Sequence, residues 1–207
     1  MFQVRIHGRG GQGVVAAAEI LSTAAFDEGR YAQAFPSFGS ERMGAPVVSY
    51  CRIDDVVIRA HEPISEPDAV IVQDVTLVHQ VDLFAGAVPE SYVLVNTSQT
   101  FAELGLDESL GGFRTDRTAT CPATALALVY LGRPLPNAAL LGGFAALTGQ
   151  VTLEALERAI LNRFPGDAGV ANVEAARAAY DLVIIRDDDE AATMPDECEV
   201  VDRAHTD

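Results

Sequence analysis

The sequence predicts a three-layer α/β domain with a mainly parallel central sheet, an attached β-hairpin and a helical C-terminal portion. Three observations carry that reading. A short apolar alternation, FQVRIH (2–7), runs into glycines and then into a helix-spaced apolar face. DAVIVQD (68–74) and SYVLVN (91–96) are nearly continuous apolar runs of strand length, the pattern of central strands covered on both faces. Beyond residue 122 the chain becomes rich in Ala and Leu at helical spacing.

Each element follows from its own residues. FQVRIH reads as the first strand. Val14, Val15, Ala18, Leu21, Ser22 and Ala25 then share one face at helical spacing, and Gly29 supplies a stop, so a first helix is expected between the glycines and Gly29. PVVSYCRI (46–53) and VVIRA (56–60) are β-rich runs separated only by Asp54 and Asp55, which suits a tight antiparallel hairpin. Between the two central strands, VTLVHQVDLFAG (75–86) reads as a crossover helix. ATALALVYLG (123–132), AALLGGFAALTG (138–149), TLEALERAILNRF (152–164) and VEAARAAYDL (173–182) read as four further helices.

Composition excludes several kinds of function. The 207 residues are 49% hydrophobic and 21% charged, enough to fold one domain around a sizeable core. No apolar run approaches the ~20 residues that span a bilayer, so no membrane segment is expected. The start, MFQVRIHGRG, has no basic segment followed by an apolar one, and a cytoplasmic location is expected. Thirty acidic residues against fourteen basic ones give a net charge of −16, the wrong sign for gripping a nucleic-acid backbone. All fourteen basic residues are Arg, which leaves no lysine for a Walker-type phosphate contact or a Schiff base. Cys51, Cys121 and Cys198 are widely separated, and His7, His61, His79 and His205 show no ligand spacing, so no metal site is expected on this chain.

The acid is unevenly spread. Residues 187–207 hold nine acidic residues and one Arg, a net −8 that equals the charge of the whole of residues 1–186. The chain therefore divides into an α/β domain over 1–186 and an acidic C-terminal tail over 187–207. The tail reads as a solvated solubilising segment, or as an arm that lies in a basic groove of a partner.

Gly8-Arg9-Gly10-Gly11-Gln12-Gly13 fits the G-x-G-x-x-G template and stands after a predicted strand and before a predicted helix, which makes the fold Rossmann-like. Missing Cβ atoms let the backbone approach an anion closely, and the free N–H groups of a helix start attract it. The other reading is a tight turn that needs glycine for geometry alone. A nicotinamide dinucleotide would call for a carboxylate about 20 residues further on to hold the ribose. YAQAFPSFGS (31–40) contains none, so a different phosphate-bearing ligand is preferred. Next comes PSFGSERMGAP (36–46), an ordered-looking loop in which Arg42 is a candidate anion clamp. A local Glu41 to Arg42 ion pair or a subunit contact is the competing reading.

With PSFGSERMGAPVVSYCRI (36–53), CPATALAL (121–128), LGRPLPNAALLGGF (131–144) and a closing helix carrying Asn172 and Tyr180, the glycine loop forms an ordered series. The series resembles the gamma subunit of the 2-oxoacid (pyruvate-type):ferredoxin oxidoreductase family over almost all of residues 1–186. That resemblance implies a noncatalytic chain in a multisubunit complex. The complex would decarboxylate a 2-oxoacid oxidatively to acyl-CoA and CO2 and reduce ferredoxin or a related acceptor. Thiamine diphosphate, Mg and iron–sulfur clusters would sit on partner chains, namely thiamine-binding alpha and beta subunits, a ferredoxin-like subunit and, in some versions, a flavin- or NAD-linked one. By resemblance Gly8, Gly10, Gly11, Gln12 and Gly13 become candidates for contact with CoA phosphates, and Glu41 and Arg42 for the neighbouring intersubunit surface. The rival is a free-standing Rossmann-like oxidoreductase that uses a dinucleotide by itself. The missing ribose carboxylate argues against it.

Overall fold

A computed structural model describes residues 1–37 and 43–188. Six strands form one sheet: β1 (Phe2–Arg9), β2 (Tyr31–Pro36), β3 (Pro46–Asp54), β4 (Ala69–Val72), β5 (Tyr92–Asn96) and β6 (Thr118–Cys121), in the order β2-β3-β1-β4-β5-β6. β1, β4, β5 and β6 run parallel to one another. β3 pairs antiparallel with β1, and β2 antiparallel with β3. The sheet is thus a four-stranded parallel block with a two-stranded antiparallel extension at one side.

Alternation of side chains along the strands divides the core. Val4, Ile6, Cys51, Ile53, Ile71 and Leu94 face a layer built from α1 (Val14–Asp27), α3 (Ala123–Leu131), α4 (Asn137–Thr148), α5 (Leu153–Arg163) and α6 (Asp167–Asp188). α4 is buried over most of its length. A Cβ on its Gly142 would stand 1.9 Å from the Ala176 carbonyl oxygen, so glycine is what lets α4 and α6 pack backbone to backbone. The opposite face, with Val70, Val72, Val93 and Val95, is covered by Leu77, Leu83, Leu106 and Leu110. That third layer holds only the short helix α2 (Asp107–Leu110), two 3-10 turns and irregular chain.

Two expected elements are corrected. The antiparallel pair is not made from 46–53 and 56–60: β3 takes β1 on one edge and β2 on the other, so no edge remains for a further strand. Residues 57–60 carry no strand pairing, and Arg52 fastens the end of this stretch and the chain just after it by donating to the carbonyls of Ala60 at 3.4 Å and Glu62 at 2.6 Å. The crossover at 75–86 is a 3-10 turn over Val75–His79 rather than a helix. Val75, Thr76, Val78 and Val81 are β-branched and resist helix, and the Asp82 carboxylate accepts from the Phe84 N–H at 3.3 Å to turn the chain. Arg5, buried on this face, then donates to the carbonyls of Leu83 at 3.1 Å and Ala85 at 2.6 Å and holds the irregular layer to the sheet. β6 had no counterpart in the sequence reading. The first two tail residues, Asp187 and Asp188, continue α6; the rest of the tail lies outside the described residues.

Candidate functional site

The carboxyl end of β1 turns through Gly10–Gly13 into α1. Gly11 has φ +96° and Gly13, at the helix cap, φ +77°, both in the left-handed region that favours glycine. A Cβ on Gly13 would also stand 2.7 Å from Nδ2 of Asn137, the first residue of α4, and one on Gly8 would stand 2.6 Å from Cγ2 of Val14. Gly8 and Gly13 therefore serve close packing as well as shape. The loop is paired to the strand entering β3: Gly10 N–H donates to the Ala45 carbonyl at 2.9 Å, and Gly44 N–H to the Gly10 carbonyl at 3.0 Å.

Polar side chains brace the loop from behind. The Gln12 side chain accepts from the Arg9 N–H at 2.8 Å and donates to the Asp74 carboxylate at 2.8 Å. The Arg9 guanidinium donates to Asp74 at 3.1 Å, Thr76 at 2.7 Å and the Gly44 carbonyl at 3.1 Å. Asp74 also accepts the Thr76 N–H at 3.0 Å, capping the 3-10 turn. Partial burial opposes ionisation of Asp74. Hydrogen bonds from Thr76 and Gln12 and the Arg9 charge outweigh it and hold the carboxyl below its ordinary pKa.

In front of the loop lies an open cleft of about 400 Å³, lined by Arg9, Gly10, Gly11, Gly13, Val14, Val15, Ala16, Glu19, Val47 and Arg163. The first turn of α1 carries neither a side-chain cap nor an acidic residue, so its leading N–H groups are available as donors toward this end of the cleft. The arrangement suits an anion with several oxygens. It does not suit bond-making chemistry by side chains. The Cys51 thiol is pushed up to about 12 by burial. His7, just before the loop, is brought down to about 4, by burial first and the Arg5 charge second, and is neutral. Among the described residues no group of three or more His, Cys, Asp and Glu is placed to hold a metal ion.

Of the residues that the sequence singles out, Gly10, Gly11 and Gly13 reach the cleft, whereas Gly8 and Gln12 lie behind it. Glu41 and Arg42 fall outside the described residues. β2, the strand that follows α1, carries no carboxylate, as the argument against a nicotinamide ligand requires. Sequence reasoning missed Asp74, Glu19 and Arg163. An Asp closing an apolar strand at the carboxyl edge was a visible signal. Arg163 left none, because only the packing of α5 on α1 brings it to the cleft.

Strand, glycine loop, helix start and parallel sheet define an α/β domain of the kind that receives phosphate-bearing ligands at the carboxyl edge. The profile of the pyruvate ferredoxin/flavodoxin oxidoreductase family matches residues 3–182. The "Pyruvate/ketoisovalerate oxidoreductases common subunit gamma" of Pyrococcus furiosus is 48% identical over 181 residues, covering 87% of this chain and 96% of its own. The "Pyruvate synthase subunit PorC" of Methanothermobacter marburgensis is 46% identical over 181 residues, covering 87% and 97%. Among solved structures, the pyruvate oxidoreductase subunit PORC of Thermotoga maritima superposes with a TM-score of 0.75 at 35% identity, covering 87% of this chain and 95% of that one. The chain belongs to the pyruvate ferredoxin/flavodoxin oxidoreductase family. Within it, the chain is a gamma-type subunit of a 2-oxoacid oxidoreductase complex.

Proposed function

We propose that this chain is the noncatalytic gamma subunit of a complex that oxidatively decarboxylates a 2-oxoacid to acyl-CoA and CO2, and that its glycine-loop cleft is part of the surface that meets CoA. On partner chains, thiamine diphosphate with Mg would supply the decarboxylation chemistry, and iron–sulfur clusters would supply the electron path to ferredoxin or a related acceptor. Partner alpha, beta and ferredoxin-like subunits hold those groups, and in NAD-linked versions a flavin subunit joins them. A cytoplasmic setting accords with that assembly.

Within the complex, this chain's residues bind and orient. The observation that carries the reading is the 400 Å³ cleft at the uncapped start of α1, where glycine backbone takes the place of side chains. The Pyrococcus relative's name attaches one gamma chain to both pyruvate and ketoisovalerate, which supports a subunit that serves the shared second substrate and leaves 2-oxoacid choice to other chains. α3 adds support for membership in an assembly. Its outward residues are apolar: Ala125 is exposed, and Leu128 and Val129 stand 51% and 36% exposed. A helix of that composition is one that an assembly buries.

Val15→Glu tests the cleft. A carboxylate in the first helical turn is favoured by the helix dipole, so folding is preserved, while the anion position gains a negative charge. The reconstituted complex is expected to show a KM for CoA raised by about tenfold or more, since charge-assisted contacts are of that size. Gly11→Asp acts in the same direction with added backbone strain from φ +96°. An unchanged KM for CoA in the Val15→Glu complex contradicts the reading.

A further inference from the structure

Two guanidinium groups line the cleft, and they are not equivalent. Arg9 is committed: Asp74, Thr76 and the Gly44 carbonyl take its donors, and Gln80 is within 3.4 Å. Arg163, the last residue of α5, has one ionic contact among the described residues, to Glu19 of α1 at 3.6 Å, beyond hydrogen-bonding distance. Its guanidinium carbon lies over the Phe164 ring, 5.3 Å from the centroid. Both members of the pair are about half exposed, at 50% and 53%, and an ion pair so placed contributes little to stability. The C-terminal end of α5 favours the positive charge where it stands.

Glu19 lines the same cleft and places a carboxylate one turn beyond the N–H groups that attract anions. A carboxylate there serves nothing in anion binding. It opposes an incoming phosphate and competes for the guanidinium that, among the described residues lining the cleft, has donors to spare. In a chain of net charge −16, the attraction this chain offers an anion comes from local donors.

We propose that Arg163 is the phosphate-contacting cation of the cleft and that Glu19 is its internal competitor: on binding, Arg163 exchanges the Glu19 carboxylate for an oxygen of the ligand's diphosphate. This rests on the CoA-facing reading above and deepens it. Guanidinium matches a phosphoryl group through paired donors, and such a contact replaces an ion pair too long for a hydrogen bond. The exchange makes affinity depend with opposite sign on the two partners of a single ion pair.

The test measures CoA affinity by titration calorimetry of the assembled complex without 2-oxoacid. Arg163→Gln is expected to weaken CoA by about tenfold, the size of one lost charge-assisted contact. Arg163→Lys is expected to recover part of that loss, and Glu19→Gln to tighten CoA severalfold. Weakening by both Arg163→Gln and Glu19→Gln makes the pair a structural clamp and overturns the proposal. No effect of either, with Val15→Glu still weakening CoA, overturns the proposal while leaving the cleft reading intact; no effect of Val15→Glu as well takes down both. Dephospho-CoA separates the two phosphate sources. The tenfold difference between wild type and Arg163→Gln persists with it if the diphosphate is the partner. Its disappearance assigns the contact to the 3′-phosphate and overturns the diphosphate assignment.

Discussion

Asp74 shows how one side chain sets the shape of a loop far from it in sequence: it is bound by Arg9, Gln12 and Thr76. Because its folded pKa is depressed, its contribution is present above the ordinary carboxylate pKa and is lost as pH falls through the folded value. Asp74→Asn is expected to cost about 2 kcal/mol in neutral solution, the size of a charged hydrogen-bond pair, with the difference from wild type shrinking in acid. Denaturant unfolding at several pH values checks it, and a pH-independent difference contradicts it. His7 has the opposite chemistry and the same slope. It is buried and neutral with its pKa near 4, so the unfolded chain binds the proton more tightly and acidification from pH 7 toward 5 lowers stability. His7→Gln is expected to flatten that slope; parallel slopes for the two proteins contradict it. At Gly13, alanine meets both φ +77° and the Asn137 amide at 2.7 Å. Gly13→Ala is expected to destabilise by about 2 kcal/mol. Adding Asn137→Ala recovers only the contact part, measurable as a coupling in a double-mutant cycle.

Among the elements, α1 and α5 are joined at a corner that also explains where the cleft comes from. The Glu28 carboxylate, at the end of α1, accepts from both the N–H and the hydroxyl of Thr152, and Thr152 in turn caps α5 by accepting from the Ala155 N–H at 3.2 Å. Thr152→Ala is expected to cost about 1 kcal/mol, the usual worth of an N-cap, read as a lowered Tm. Glu28→Ala is expected to leave the cap and loosen the corner. The helices were legible because their residues obey a local period: Val14, Ala18, Leu21 and Ala25 are all buried on α1. β1 was legible from an apolar alternation that runs into glycines, and β4 and β5 from nearly continuous apolar runs that suit a sheet covered on both faces. The partner of β3 was not. VVIRA has the composition of a strand, but whether it pairs depends on which edges of the sheet are already filled, a property of residues 31–36 and 2–9 rather than its own. The irregular layer over 75–117 escaped the same way, since the buried Arg5 and Arg52 that fasten chain to that face are ordinary strand residues until the contacts are seen. The glycines of the site could be read from sequence because their backbone demands are local. Arg163 could not, because it joins them across a helix pair.

For the whole molecule, charge and composition point outward to an assembly. Half of the net −16 resides in residues 187–207, and α3 presents exposed apolar residues, Leu128 and Val129. No helix among the described residues is long and apolar enough to cross a membrane. The domain contains a cleft at the glycine loop, and among the described residues no group of three or more His, Cys, Asp and Glu is placed to hold a metal ion. The most direct measurement is to purify the tagged chain anaerobically from its native host, identify what accompanies it by mass spectrometry, and assay the material for CoA-dependent reduction of ferredoxin by 2-oxoacids. The account predicts thiamine-binding subunits and a ferredoxin-like chain in stoichiometric amounts, with that activity. A chain recovered alone, monodisperse and binding a dinucleotide by itself, would contradict it.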